Sequence, residues 1–260
     1  MNLKTIDLVA GNPEIAVIIH VPHAGLGVPL GFRDQFLLGP EELAAEMRTM
    51  ADVATDGLAL DAFHSLEAQP WLFINKLSRL VFDPERFPDE TEEMNSVGMG
   101  VVYTKTSDQR DLRDPNKFEA EEIVKQLFEP YAKTLRDLTS ELLSKHGTVT
   151  IVDLHSFSPD PLPYELHKEG ERPSVCLGVD EYHTSPHLLE KARTSFECLG
   201  TIAINTPFAG TYVPLDFYKA DIRVQSIMLE IRKDTYGWGD RESPAFKETA
   251  KAIANFIRSI

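Results

Sequence analysis

The stretch Val149-Thr-Ile-Val-Asp153-Leu-His155-Ser156-Phe157-Ser158 decides how the rest of the chain reads. Val149, Ile151, Val152 and Leu154 favour a strand, and a run this short fits no helical period. Such a strand carries Asp153, His155 and Ser156 to its C-terminal end. In open α/β sheets ligands bind outside that end of the strands. An imidazole there, beside an acid and a hydroxyl, suits a metal ligand or an acid/base group. A core histidine satisfied by its neighbours reads equally well from this segment alone.

The chain before it supplies a second case. Ala16 to Ile19 is continuously apolar, as in a strand buried on both faces. His20 and His23 follow, and Pro22 restricts Val21 to extended geometry, so His23 falls on a loop past the strand. Histidines at two strand ends favour a metal site over two unrelated core residues. Pro40 to Asp61 reads as a helix, with Glu41 and Glu42 complementing its dipole. Asp52 and Asp56, four apart, then share one helix face, either solvated or with one reaching a cation.

Trp71 to Pro88 reads as a strand pair or a bent strand holding Arg79, Asp83 and Arg86. Arginine is rarely buried without a partner, so Asp83 pairs with one of the two. The other is free to grip a carboxylate in bidentate fashion, or belongs to a structural ion pair. A long polar loop over 89–116 leads to a helix from Phe118 to Lys145, kinked at Pro130 and closed by His146-Gly147. After the opening strand come a proline-rich loop with Tyr164 and His167, strands near 174–180 and 201–205, and a turn-rich loop presenting Tyr212 as a substrate-facing aromatic. Val224 to Tyr236 places Glu230 inside an apolar strand. A buried acid there needs a partner, a raised pKa or a chemical task. Ser243 to Ile260 reads as an amphipathic closing helix. Strands alternating with helices predict one three-layer α/β domain over 1–260, a mixed central sheet flanked by helices.

The formal net charge of −15 argues against a nucleic-acid or anionic-membrane surface, since phosphate binding needs a basic face. It leaves room for a small anionic substrate held by a few arginines. Cys176 and Cys198 form no CxxC pattern, so neither a disulfide framework nor a cysteine zinc cluster is expected, and a reducing cytoplasm is the default. No apolar run approaches the ~18 residues of a membrane span, and the first residues lack a signal-peptide core. A monomer or small homo-oligomer is expected.

His23, an aspartate at 52 or 56, and His155 make the two-histidine, one-carboxylate pattern of a hydrolytic zinc site. Zinc polarises a carbonyl and lowers the pKa of a bound water to about 7, and a nearby Glu230 would take the water proton. Four segments in order, His20-Val-Pro-His23-Ala-Gly25, Ser78-Arg79-Leu-Val-Phe-Asp83-Pro-Glu85-Arg86, Val152-Asp153-Leu-His155-Ser156 and Met228-Leu-Glu230-Ile231, resemble the N-formylglutamate amidohydrolase family. The resemblance implies a phosphorylase/hydrolase-like fold related to zinc carboxypeptidases and aspartoacylases. It implies one zinc per chain and hydrolysis of N-formyl-L-glutamate to formate and glutamate, in histidine breakdown. By the same resemblance His23 and His155 would be zinc ligands and Glu230 the general base, with Arg79 and Arg86 at the substrate carboxylates. Zinc carboxypeptidases take an acidic ligand three residues after the first histidine, and here that residue is Leu26. The carboxylate must come from elsewhere. Asp56 aligns best with an aspartate motif of the relatives, and Asp52 comes second. The family's Asp-x-Asn-Arg is here Asp83-Pro-Glu85-Arg86, and a glutamate beside the carboxylate site weakens binding of a dianion. The expected activity is zinc-dependent cleavage of an N-formyl- or N-acyl-amino acid. A carboxypeptidase-like peptidase and a non-catalytic binding protein on the same fold are the alternatives.

Overall fold

The computed structural model describes residues 4–166 and 168–260, so His167 lies outside the described residues. Its strands are β1 (Ile6–Val9), β2 (Val17–Val21), β3 (Trp71–Asn75), β4 (Val149–Phe157), β5 (Val175–Gly178), β6 (Ile202–Ile204) and β7 (Val224–Arg232). They form one mixed sheet in the order β1-β3-β2-β4-β7-β5-β6. At its centre β3, β2, β4 and β7 run parallel, while β1 and β5 attach antiparallel. The expected α/β class with a mixed sheet is what the chain adopts. Among the described residues no helix is long and apolar enough to cross a membrane.

Helices cover both faces. On one, α2 (Thr55–His64), α5 (Pro186–Phe196) and α6 (Pro244–Ser259) bury Ile19, Val152, Leu154 and Leu229. On the other, α4 (Glu129–His146) covers Ile18, Ile151 and Val224. Side chains alternate along a strand, so every second residue returns to the α4 face. There Ile18 gives way to His20, Ile151 to Asp153 and His155, and Val224 to Ser226, Met228 and Glu230. The face is apolar where the parallel strands begin and polar where they end. Register then brings the polar residues together: His20 stands opposite Asp153, and His155 opposite Glu230.

Three expectations about local structure are corrected. The helix read over 40–61 is two helices, α1 (Pro40–Met50) and α2, because residues 51–54 leave helical geometry. Ala51 is extended and Ala54 is left-handed, with φ of 61°. No glycine or proline marks the break. Tertiary partners make it by taking the backbone groups a continuous helix would pair internally. The Asp52 N–H donates to His23 O at 3.0 Å, Lys233 Nζ to Ala51 O at 2.8 Å, and the Tyr236 hydroxyl to Val53 O at 2.8 Å. Asp52 and Asp56 therefore share no helix face. The strand read over 71–88 stops at Asn75. The irregular chain beyond it is buried, and Arg113 replaces the missing ladder by donating to the carbonyls of Leu80, Val81 and Tyr103. Pro130 does not kink a long helix. It sits in the first turn of α4, where its missing N–H is harmless, after the short α3 (Ala120–Ile123) and a wide π turn over Val124–Phe128.

The loop after β2 is fixed by close backbone approach. A Cβ added at Gly25 would lie 2.4 Å from Lys76 C and 2.6 Å from Leu77 O, and neither backbone atom can rotate away. Gly25→Ala is expected to destabilise the protein by about 2–3 kcal/mol in urea unfolding and to disturb His23, two residues earlier.

Candidate functional site

Three side chains from three segments converge at the C-terminal edge of the sheet. His155 comes from β4, His23 from the loop after β2, and Asp52 from the break between α1 and α2. His23 Nδ1 lies 3.2 Å from His155 Nδ1, Asp52 Oδ2 lies 3.1 Å from His155 Nδ1, and Asp52 Oδ2 lies 3.6 Å from His23 Nδ1. All three residues are buried. A tetrahedral ion holding its ligands at about 2.0–2.1 Å needs them roughly 3.3 Å apart, and this triangle meets that spacing. Two ring nitrogens facing each other across 3.2 Å cannot both carry a proton, so one of them presents a lone pair to the same point as the carboxylate. The donor set fits a divalent metal ion.

A second layer orients these ligands. The His23 Nε2–H donates to Asp83 Oδ1 at 2.8 Å, which leaves Nδ1 as the free lone pair. Asp83 is held in turn by Arg79 at 2.8 Å, the Tyr103 hydroxyl at 2.6 Å and Arg86 Nε at 3.4 Å. Both arginines thus share the one acid. Behind His155, Glu85 Oε2 and Asp153 Oδ2 lie 3.1 and 3.2 Å from Nε2, although that nitrogen makes no hydrogen bond of good geometry. Asp153 also accepts from His20 Nδ1 at 2.9 Å, and His20 Nε2 meets the Tyr131 hydroxyl at 2.6 Å.

The electrostatics follow from that crowding. Burial disfavours charge on His155, yet Glu85, Asp153 and Asp52 outweigh it and lift the ring well above the usual imidazole range. Burial and Arg79 push His23 down, but Asp83 and Asp52 leave it raised as well. Asp52 shows the converse. Burial pushes it up, and its hydrogen bonds to His155 and His23 hold it below the carboxylate range. Without a metal, protons on the imidazoles supply the positive charge these acids demand. Metal binding would release them.

Glu230 is buried, and its Oε2 has no hydrogen-bond partner. Burial, reinforced by the charge of Asp52, pushes its carboxyl up to about 8, against the pull of His155, His23 and Arg79. It lines a cavity of about 620 Å³ together with His23, Asp52, His155, Arg79 and Arg86. Cys176 faces Glu230 from β5, but burial pushes its thiol up to about 11, which removes it as a nucleophile.

The family profile of N-formylglutamate amidohydrolase matches residues 15–237. The chain belongs to the N-formylglutamate amidohydrolase family. It is accordingly a hydrolase acting on amide bonds. The fold is shared with a solved N-formylglutamate amidohydrolase from Ralstonia eutropha JMP134, at a TM-score of 0.79 and 20% identity over 99% of this chain and 98% of that one. A gene product of Agrobacterium tumefaciens is similar at a TM-score of 0.64 and 19% identity, over 97% and 91% of the two chains. No curated protein matches the sequence.

Among the residues singled out in this family member's sequence, the structure brings His23, His155, Glu230, Arg79 and Arg86 into one cavity. Asp56 stands apart. It sits in the first turn of α2, accepts the Gly57 N–H at 2.9 Å, lies 3.6 Å from Lys76 Nζ and is 33% exposed. Asp52 occupies the place beside the histidines. Tyr212 lies against His20, ring centroids 4.9 Å apart, and lines a neighbouring cavity. Sequence reading passed over Glu85's contact with His155 and the burial of Lys233, which caps the end of α1. The proline at 84 and the polar company of Arg232 and Asp234 made both look solvated.

Proposed function

We propose that this chain is a zinc-dependent amidohydrolase that cleaves the amide of an N-formyl- or N-acyl-amino acid to a carboxylate and the free amino acid. The observation that carries this reading is the ligand triangle of His23, Asp52 and His155 beside a buried, unpartnered glutamate. Family membership supports the bond type. Two nitrogens and one carboxylate with room for a further ligand is the donor set of catalytic zinc. When bound, zinc supplies Lewis acidity toward the amide carbonyl and acidifies a water.

The protein's own groups do the rest. Glu230 Oε2 takes the proton of the attacking water and delivers it to the departing amine, for which a carboxyl near neutral pKa is matched. Arg79 and Arg86 carry one net positive charge beyond Asp83 and anchor a substrate carboxylate. Asp83 fixes the His23 ring by its hydrogen bond to Nε2.

Metal analysis of purified protein, with a screen of formyl, acetyl and succinyl amino acids in the presence of zinc, tests the reading. About one zinc per chain and release of a free amino acid are expected. His155→Ala is expected to lose most of that metal, and chelation should lower the melting temperature of the unmodified protein far more than that of the variant. Unchanged zinc stoichiometry in His155→Ala would remove it from the ligand set.

A further inference from the structure

Glu85 is the one acid at this site that none of the roles above uses. It stands in the wall between the 620 Å³ cavity and a second one of about 1010 Å³, whose lining includes Phe87, Phe128, Tyr212 and Tyr218. Its Oε2 faces His155 at 3.1 Å. Its Oε1 is buried and has no hydrogen-bond partner, and the nearest donor, His20 Nδ1 at 3.4 Å, is committed to Asp153. Among the described residues no lysine or arginine pairs with it, since Arg79 and Arg86 both turn to Asp83 and Lys233 Nζ donates to the Ala51 carbonyl.

The charge balance around the cavity is therefore tight. Asp52, Asp83, Asp153, Glu85 and Glu230 are set against Arg79, Arg86, Lys233 and, when present, a divalent ion. That balance accommodates one substrate carboxylate on the arginines. A second carboxylate entering past Glu85 meets a like charge with no cation to offset it, in a site where water screens poorly. A side chain ending in an amide or ammonium group meets a free acceptor instead, the Oε1 that nothing in the protein occupies.

We infer that Glu85 is a specificity residue, selecting N-acyl amino acids whose side chain ends in a hydrogen-bond donor and rejecting those whose side chain ends in a carboxylate. The inference rests on the amidohydrolase reading and narrows its substrate class. N-formylglutamine and N-formylglutamate differ only at that terminal group, so kcat/KM for the pair reads it directly. The unmodified protein should favour the amide at least tenfold. Glu85→Gln, which keeps an acceptor oxygen beside His155, should raise the acid relative to the amide at least tenfold with zinc content unchanged. A preference of the unmodified protein for the acid overturns the inference. So does a Glu85→Gln effect that lowers both substrates equally, which marks a purely structural role. If no N-formyl amino acid is turned over, the amidohydrolase reading fails first, and calorimetry with free glutamine and glutamate still decides the role of Glu85. Preferential binding of glutamine that Glu85→Gln abolishes supports it, and equal affinities in both proteins refute it.

Discussion

Glu230→Gln is expected to keep its zinc and to lose turnover by about 10²–10⁴-fold, the range typical of a missing general base. The substitution is nearly isosteric, and Glu230 is not one of the three residues whose donor atoms converge. Packing on β7 and the ligand triangle should survive. What disappears is the ability of Oε2 to hold a proton between attack and departure. Zinc stoichiometry and kcat measured on the same preparation separate this from a metal defect, and a variant that turns over normally removes Glu230 from the chemistry. The metal-free protein offers an independent reading. Burial and the charge of Asp52 raise the Glu230 carboxyl to about 8. A raised carboxyl contributes stability that is present below its ordinary value near 4.5 and is lost as the pH climbs through about 8. Glutamine does not titrate. In chelator, Glu230→Gln should therefore gain stability relative to the unmodified protein between pH 5 and pH 9, seen as a growing difference in melting temperature. A bound cation favours the carboxylate, so the gain should shrink when zinc is restored.

What the sequence disclosed, and what it hid, follows from the range of the forces involved. The strand Val149–Phe157 and its histidine were legible because four β-formers and a polar end are a local pattern. His23 was legible for the same reason, as a histidine just past an apolar run closed by Pro22. Glu230 stood out as an acid among apolar neighbours. The mixed sheet followed from alternation of elements, but the antiparallel β5 depends on contacts 50 residues away from it in sequence, with β7, and left no local mark. The break at residues 51–54 was invisible because its causes lie at His23, Lys233 and Tyr236. Glu85 was read as a change of charge beside an arginine. Only the folded chain puts it against His155, 70 residues on.

The hidden break changes which aspartate can hold the metal, and the second large effect tests that. Asp52→Asn is expected to weaken zinc binding by more than about 100-fold, while Asp56→Asn leaves it within about threefold. Removing a group that merely orients a ligand costs about 10–100-fold, so removing a ligand's charge must cost more. Asp52 Oδ2 lies 3.1 Å from His155 Nδ1 and 3.6 Å from His23 Nδ1, and its backbone N–H is fixed on His23 O. Its carboxylate is held ionised by both rings, so it is ready to exchange their protons for a metal ion. Asp56 is occupied otherwise. Its carboxylate caps the exposed first turn of α2, faces Lys76 and points away from both histidines, so its loss should cost no more than about 1 kcal/mol of helix-end stabilisation. A competition titration against a zinc indicator measures both variants on one scale. Tight binding retained by Asp52→Asn but lost by Asp56→Asn would reverse the assignment and require α2 to rotate by about a turn on metal binding. In the folded chain α2 is pinned against α6 by Leu58, Ala62 and Phe246, all buried, and that packing is the reason to expect the opposite result.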